Sequence, residues 1–169
     1  MARHRRSDVR RKTKETEIAL RIDLDGSGRS RIHTGISFFD HMLSLLAHHG
    51  RVDLSVKAEG DLHVDHHHTV EDVGICLGEG IREALGDGKG INRYGMAITP
   101  MDETLASVAL DLSMRPRLVY HVKLKRARIG SFDVELVEEP LREVERSVVD
   151  HVETGRAGTA GVDEDVPDA

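Results

Sequence analysis

From Glu17 to Leu24 the chain alternates, with Ile18, Leu20, Ile22 and Leu24 set against Glu17, Ala19, Arg21 and Asp23. A side-chain period of two suits a strand with one buried face, so the spacing predicts a strand over about 16–24. Such a strand needs partners and a second layer to cover it, and the next 60 or so residues supply both kinds of pattern. Asp25-Gly26-Ser27-Gly28 can take the positive φ of a tight turn, which predicts a hairpin to a second strand, Arg29 to His33. Phe38, Phe39, Met42, Leu45 and Leu46 form a helical stripe over roughly 37–49, with Gly50 as its stop. Val52, Leu54 and Val56 alternate again, leading to a turn at Glu59-Gly60-Asp61. Val73, Cys76, Leu77, Ile81, Ala84 and Leu85 then predict a helix from Thr69 or Val70 to Gly86 or Gly88, with Glu71 and Asp72 in its first turn.

Further along, Leu105–Leu112 and Leu118–Leu124 read as strands joined by a turn at Ser113-Met114-Arg115-Pro116. A third strand, Ser131–Val137, precedes a weaker helical stretch over 138–152. Residues 1–11 read as a polar arm. From 153 the small residues and acidic end read as a disordered tail.

A chain of 169 residues makes one domain or two closely packed halves. No run approaches twenty apolar residues and no charged-then-apolar leader opens the chain, so a soluble, cytoplasmic protein is expected, with no membrane partner. The single cysteine, Cys76, falls within the helical pattern and reads as a small buried hydrophobe. Arginines and lysines crowd the first 14 residues, and such an arm can contact phosphates. With no Trp, two Tyr and three Phe, base-stacking platforms are scarce, so nucleic acid is not the expected partner.

Histidine is the informative residue. Seven of eleven fall between positions 41 and 68. On a helix start, His67 and Glu71 are four apart and His68 and Glu71 three apart, so they reach neighbouring positions of one face. With His41 they offer the mixed nitrogen and oxygen donors that Mn, Fe and Zn all accept. His48 and His49 suit a helix C-terminus, while His63 and His66 read as solvated. The loop Asp87–Gly95 is rich in glycine and offers Lys89 and Arg93 to an anion, but matches no nucleotide-loop pattern.

The runs TKETEI (13–18), DLDGSG (23–28), TGISFFDHML (34–43), GDLHVDHHHTVED (60–72), ALGDGKGINRYG (84–95), PMDETL (100–105) and DLSMRP (111–116) resemble those of the imidazoleglycerol-phosphate dehydratases, in order, over residues 7–138. The resemblance implies an α/β fold of the two-layer α+β kind, in which a ribosomal-S5-domain-2-like half is repeated and sheets pack on helices. It places a first half at residues 1–95, an incomplete second half at 96–152 and the tail at 153–169.

The activity implied is Mn2+-dependent loss of water from D-erythro-imidazole glycerol phosphate in histidine biosynthesis, a hydro-lyase reaction in a large homo-oligomer with two metal ions per site. By position, His41, His67, His68 and Glu71 match metal ligands. Glu15 and Asp102 match catalytic positions, and Arg93, Arg115 and Glu103 match substrate-binding ones, the arginines facing the phosphate. The family's second His-His-x-x-Glu has no counterpart here: only His121 and His151 follow His68. The resemblance therefore carries an alternative, an inactive chain that retains partial metal binding or co-assembles with complete subunits. The strands after 104 are also expected to leave an apolar face exposed.

Overall fold

The computed structural model describes residues 4–112, 117–124, 127–148 and 151–159. Its first sheet has the order β1-β2-β4-β3, from β1 (Arg6–Lys12), β2 (Thr16–Asp23), β3 (Ser30–His33) and β4 (Asp53–Gly60). The pairs β1–β2 and β2–β4 are antiparallel, and β3 runs parallel to β4. One face carries Val9, Ile18, Leu20, Ile22, Ile32, Leu54, Val56 and Ala58, all buried. The helices α1 (Ser37–Gly50) and α2 (His67–Leu85) complete that core through Phe39, Leu43, Ala47, Val70, Val73, Cys76 and Leu77.

Three expectations fail here for local reasons. The polar arm is instead β1, whose charges hid its period because they pair across the outer face: Arg6 with Asp23, Arg21 with Asp8, and Lys12 with Glu17. The β2–β3 hairpin does not form. The Asp53 carboxylate takes the Ser27 and Arg29 backbone N–H groups and the Arg29 guanidinium, drawing the loop across to the far edge of β4. On α1 the buried stripe is Phe39, Leu43 and Ala47, leaving Met42, Leu45 and Leu46 exposed. That helix closes through Arg51 at φ 55°, one residue beyond Gly50.

The second sheet has the order β5-β6-β10-β7, from β5 (Tyr94–Met101), β6 (Thr104–Asp111), β7 (Leu118–Tyr120) and β10 (His151–Thr159). A two-stranded ribbon, β8 (Arg128–Ile129) and β9 (Phe132–Asp133), leads through a 3-10 turn at Val134–Val137 into α3 (Glu138–Val148). The strand expected over 131–137 is thus mostly 3-10 turn, and that expected over 118–124 shortens to β7. The disordered tail from 153 is corrected as far as Thr159. Those residues run antiparallel to β6, with a register shift between Gly155 and Gly158, and parallel to β7. The sequence pattern does not predict strand β5, because Gly95, Thr99 and Pro100 weaken its alternation. All eight of its residues are exposed, Met96 at 78%; of the later strands expected to carry a bare apolar face, β6 exposes Leu105 and Val108, while Leu110 of β6 and Leu118 of β7 pack on Val148.

Helix α2 joins the two halves, packing on β1 and β2 and on α3. Glycine permits both approaches. A Cβ at Gly80 would lie 3.2 Å from Leu20 Cδ2, and one at Gly74 would lie 2.7 Å from Pro140 Cα. Val148 seals the seam against Ile81, Leu85, Leu110, Leu112 and Leu118. Among the described residues no helix is long and apolar enough to cross a membrane.

Candidate active site at the start of helix α2

Helix α2 begins two to three residues earlier than its apolar period suggests, so His67 and His68 are helical. The Asp65 carboxylate accepts the His67 backbone N–H at 2.8 Å, satisfying a donor that has no partner within the helix. His67 Nε2 stands 3.9 Å from Glu71 Oε2, the i,i+4 pair foreseen from spacing. One residue on, His68 turns toward the end of β4, where its Nδ1 lies 3.0 and 3.2 Å from the two Asp61 carboxylate oxygens. This carboxylate holds the His68 imidazole above its ordinary pKa, with Asp65 and Glu15 adding to the same field. His66 stands at the N-cap position without a side-chain capping bond, and its ring stacks on Phe132 at 6.2 Å, so it serves packing.

Glu15 sits at the tip of the β1–β2 hairpin, where the Thr13 hydroxyl accepts the Glu15 and Thr16 N–H groups. Two links hold that tip to the histidines. The Asp61 N–H donates to the Glu15 carbonyl at 3.1 Å. Buried Asp72 accepts Arg11 Nε at 2.7 Å and the Thr16 hydroxyl, tying α2 to both hairpin strands. Glu15, His67, His68 and Glu71 therefore occupy one locality, built by the β1–β2 turn, the end of β4 and the first turns of α2.

The remaining candidates stand apart. His41 is exposed on α1, and the four proposed ligands do not converge within this chain. Among the described residues, the one group of three or more metal-capable donors within 4.8 Å is His4, Asp23 and Asp25, whose carboxylates are already engaged by Arg6 and Arg5. Asp102 and Glu103 form the exposed β5–β6 turn, Asp102 at φ 50°, with no hydrogen bond to the α2 histidines. Arg93 Nε and Nη2 engage Asp111 at 2.6 and 2.9 Å, and its guanidinium lies over the Tyr94 ring. Lys89 pairs with Asp87. Arg115 lies outside the described residues.

Cys76 is fully buried and its thiol is pushed up to about 12, which leaves no thiolate at neutral pH. An open groove of about 570 Å³ on the outer face of the first sheet includes Arg6, Arg21 and Arg29, each paired with a carboxylate.

Two residues of the locality escaped sequence reasoning. Asp61 looked like ordinary turn chemistry, though an acid seven positions before a histidine at a helix start was the available signal. Asp72 looked like a helix-favouring acid, and its partners lie 56 and 61 positions away.

The donor set fits a divalent transition ion in kind, since imidazole nitrogen and carboxylate oxygen are what such an ion selects. It fits in number only in part, because one chain pairs His67 with Glu71 and His68 with Asp61, and among the described residues no three of His41, His67, His68 and Glu71 gather their donor atoms within 4.8 Å.

Residues 34–154 match the imidazoleglycerol-phosphate dehydratase family. A protein of that name from Xanthobacter autotrophicus is 57% identical over 152 residues, covering 89% of this chain and 77% of its own. Another, from Geobacter sulfurreducens, is 58% identical over 135 residues, covering 80% of this chain and 69% of its own. The crystal structure of imidazoleglycerol-phosphate dehydratase from Staphylococcus aureus superposes with a TM-score of 0.78 at 36% identity, covering 91% of this chain and 86% of that one.

Proposed function

The chain belongs to the imidazoleglycerol-phosphate dehydratase family, and from that premise we propose that it is built to remove water from D-erythro-imidazole glycerol phosphate, giving imidazole acetol phosphate in histidine biosynthesis. The observation that carries the reading is the single locality that holds Glu15, His67, His68 and Glu71, with Glu15 tied to the histidine segment through Asp61. His41, His67, His68 and Glu71 would hold Mn2+. When bound, such an ion supplies a Lewis acid that carries charge no side chain can.

The residues of the chain divide the remaining work. Glu15 is the proton carrier: it takes a proton from the substrate carbon bearing a hydroxyl, while hydroxide leaves the neighbouring carbon and takes up a proton from solvent to depart as water, Glu15 returning its own proton to solvent. The enol so formed tautomerises to the ketone. The Thr13 hydroxyl bonds and the Asp61 N–H hold the Glu15 backbone in place for this step. Arg93 and Arg115 are assigned to the substrate phosphate, for which a guanidinium fork is suited. Arg93 is pre-set by Asp111, so a phosphate would share or displace that carboxylate. Asp102 and Glu103, as substrate-side acids, would have to be presented by the β5–β6 turn of a neighbouring subunit in a homo-oligomer.

The lack of convergence favours a second reading as well. With no three of the four ligands gathered among the described residues of one chain, one chain alone underfills each ion, and a complete subunit could supply the rest. The test is turnover of the substrate by purified chain with and without added Mn2+. Turnover that chelation abolishes supports the dehydratase. Metal uptake with no turnover, restored by co-expression with a complete subunit, supports the co-assembling form.

A further inference from the structure

We propose that Asp61 is a positioning residue that fixes the tautomer of His68. The inference rests on the reading of His68 as a metal ligand and adds to it which nitrogen donates. Both Asp61 oxygens lie within hydrogen-bond reach of Nδ1, at 3.0 and 3.2 Å. An ionised carboxylate has only acceptors, so Nδ1 carries the proton, and in the neutral ring Nε2 carries the lone pair. A metal ligand histidine held in this way has one usable nitrogen in one orientation.

The packing around Asp61 makes the arrangement rigid. Its backbone is clamped on both sides, the N–H donating to the Glu15 carbonyl at 3.1 Å and the carbonyl accepting the Val64 N–H at 2.8 Å. Its side chain is 18% exposed, against 41% for that of His68, so the acceptor is more buried than the ring it orients. Gly60, directly before it, has no room for a Cβ because the Thr69 hydroxyl of α2 occupies that space. The end of β4 is thereby pressed onto the first turns of α2, and the Asp61 carboxylate meets the ring two residues into the helix. One residue thus connects the proton carrier, through its backbone, to a ligand, through its side chain.

Substituting Asp61 leaves both backbone bonds available, so the loop can persist without the carboxylate. The experiment compares the wild-type chain with Asp61→Ala, Asp61→Asn and His68→Ala. The first readout is long-range ¹H–¹⁵N correlation of the metal-free imidazoles under conditions where they are neutral. The second is the binding of Mn2+ alone, followed by the loss of its free-ion electron paramagnetic resonance signal.

The expected pattern has His68 Nδ1 protonated in the wild type and in Asp61→Asn, whose amide oxygen still accepts. In Asp61→Ala the proton distributes over both nitrogens, and Mn2+ binding weakens by about 10–100-fold. An unchanged ¹⁵N pattern in Asp61→Ala overturns the proposal. If His68→Ala weakens Mn2+ binding while Asp61→Ala does not, the positioning role fails and the ligand reading stands. If His68→Ala leaves Mn2+ binding intact, the ligand reading fails and the positioning role with it.

Discussion

Replacing Asp72 with alanine should loosen the joint between α2 and the hairpin that presents Glu15. The carboxylate side chain is 8% exposed and accepts two donors, the Thr16 hydroxyl and Arg11 Nε. Removing it takes from the Thr16 hydroxyl, whose residue is 4% exposed, its charged acceptor and leaves the Thr13 hydroxyl at 3.2 Å as its remaining partner, at a cost of about 1–3 kcal/mol for a lost hydrogen bond to a charged group. The Arg11 side chain is 35% exposed, so water takes over part of its interaction and about 1 kcal/mol is a fair allowance for the lost pair. The sum is about 2–4 kcal/mol. For a chain of 169 residues this lowers the melting temperature by about 5–15 °C.

Asp72→Asn is the discriminating control, since its amide oxygen still accepts from Thr16 while its charge is gone. It should cost about 1 kcal/mol. Urea unfolding, read by circular dichroism, gives both values, and an Arg11→Met, Asp72→Asn double-mutant cycle isolates the pair. A loss under about 0.5 kcal/mol for Asp72→Ala would show that the joint does not depend on this carboxylate.

Gly74→Ala should destabilise by about 1–3 kcal/mol despite the better helix propensity of alanine, because the new Cβ would lie 2.7 Å from Pro140 Cα; a neutral or stabilising result in urea unfolding would contradict the α2–α3 packing. Acid should loosen the first half early. Arg5 holds the Asp25 carboxyl at about 2, and Arg29 with the Ser27 and Arg29 N–H groups holds Asp53 well below its ordinary 3.8. Folded pKa values depressed below the unfolded ones mean stability that is present above about pH 4 and is lost as pH falls through that range toward 2. Melting temperatures measured across the interval should therefore drop, and Asp53→Asn should flatten the slope.

What the sequence made legible follows from where each signal is local. The alternation of Ile18, Leu20 and Ile22 and the helical spacing of Val73, Cys76 and Leu77 placed β2 and α2, because burial acts on neighbours in one element. The face of α1 is ambiguous in the sequence because six large apolar residues are available, and tertiary packing selects Phe39 with Leu43 and Ala47. Strand β1 was hidden by charges whose partners lie on β2. The route from β2 to β3 depended on Asp53, a residue beyond an entire helix. The His67–Glu71 pair was readable as an i,i+4 spacing. The Asp61–His68 contact also lies within a short stretch, but a turn acid has many uses, and only the fold shows which side chain it meets.

The central claim is that the locality at the start of α2 performs dehydration with Glu15 as proton carrier. The most direct measurement is turnover of D-erythro-imidazole glycerol phosphate by wild type and Glu15→Gln in the presence of Mn2+, with bound metal quantified in both. The account predicts equal metal content and a loss of about 10²–10⁴-fold in kcat for the variant. Equal metal content with unchanged turnover would contradict it.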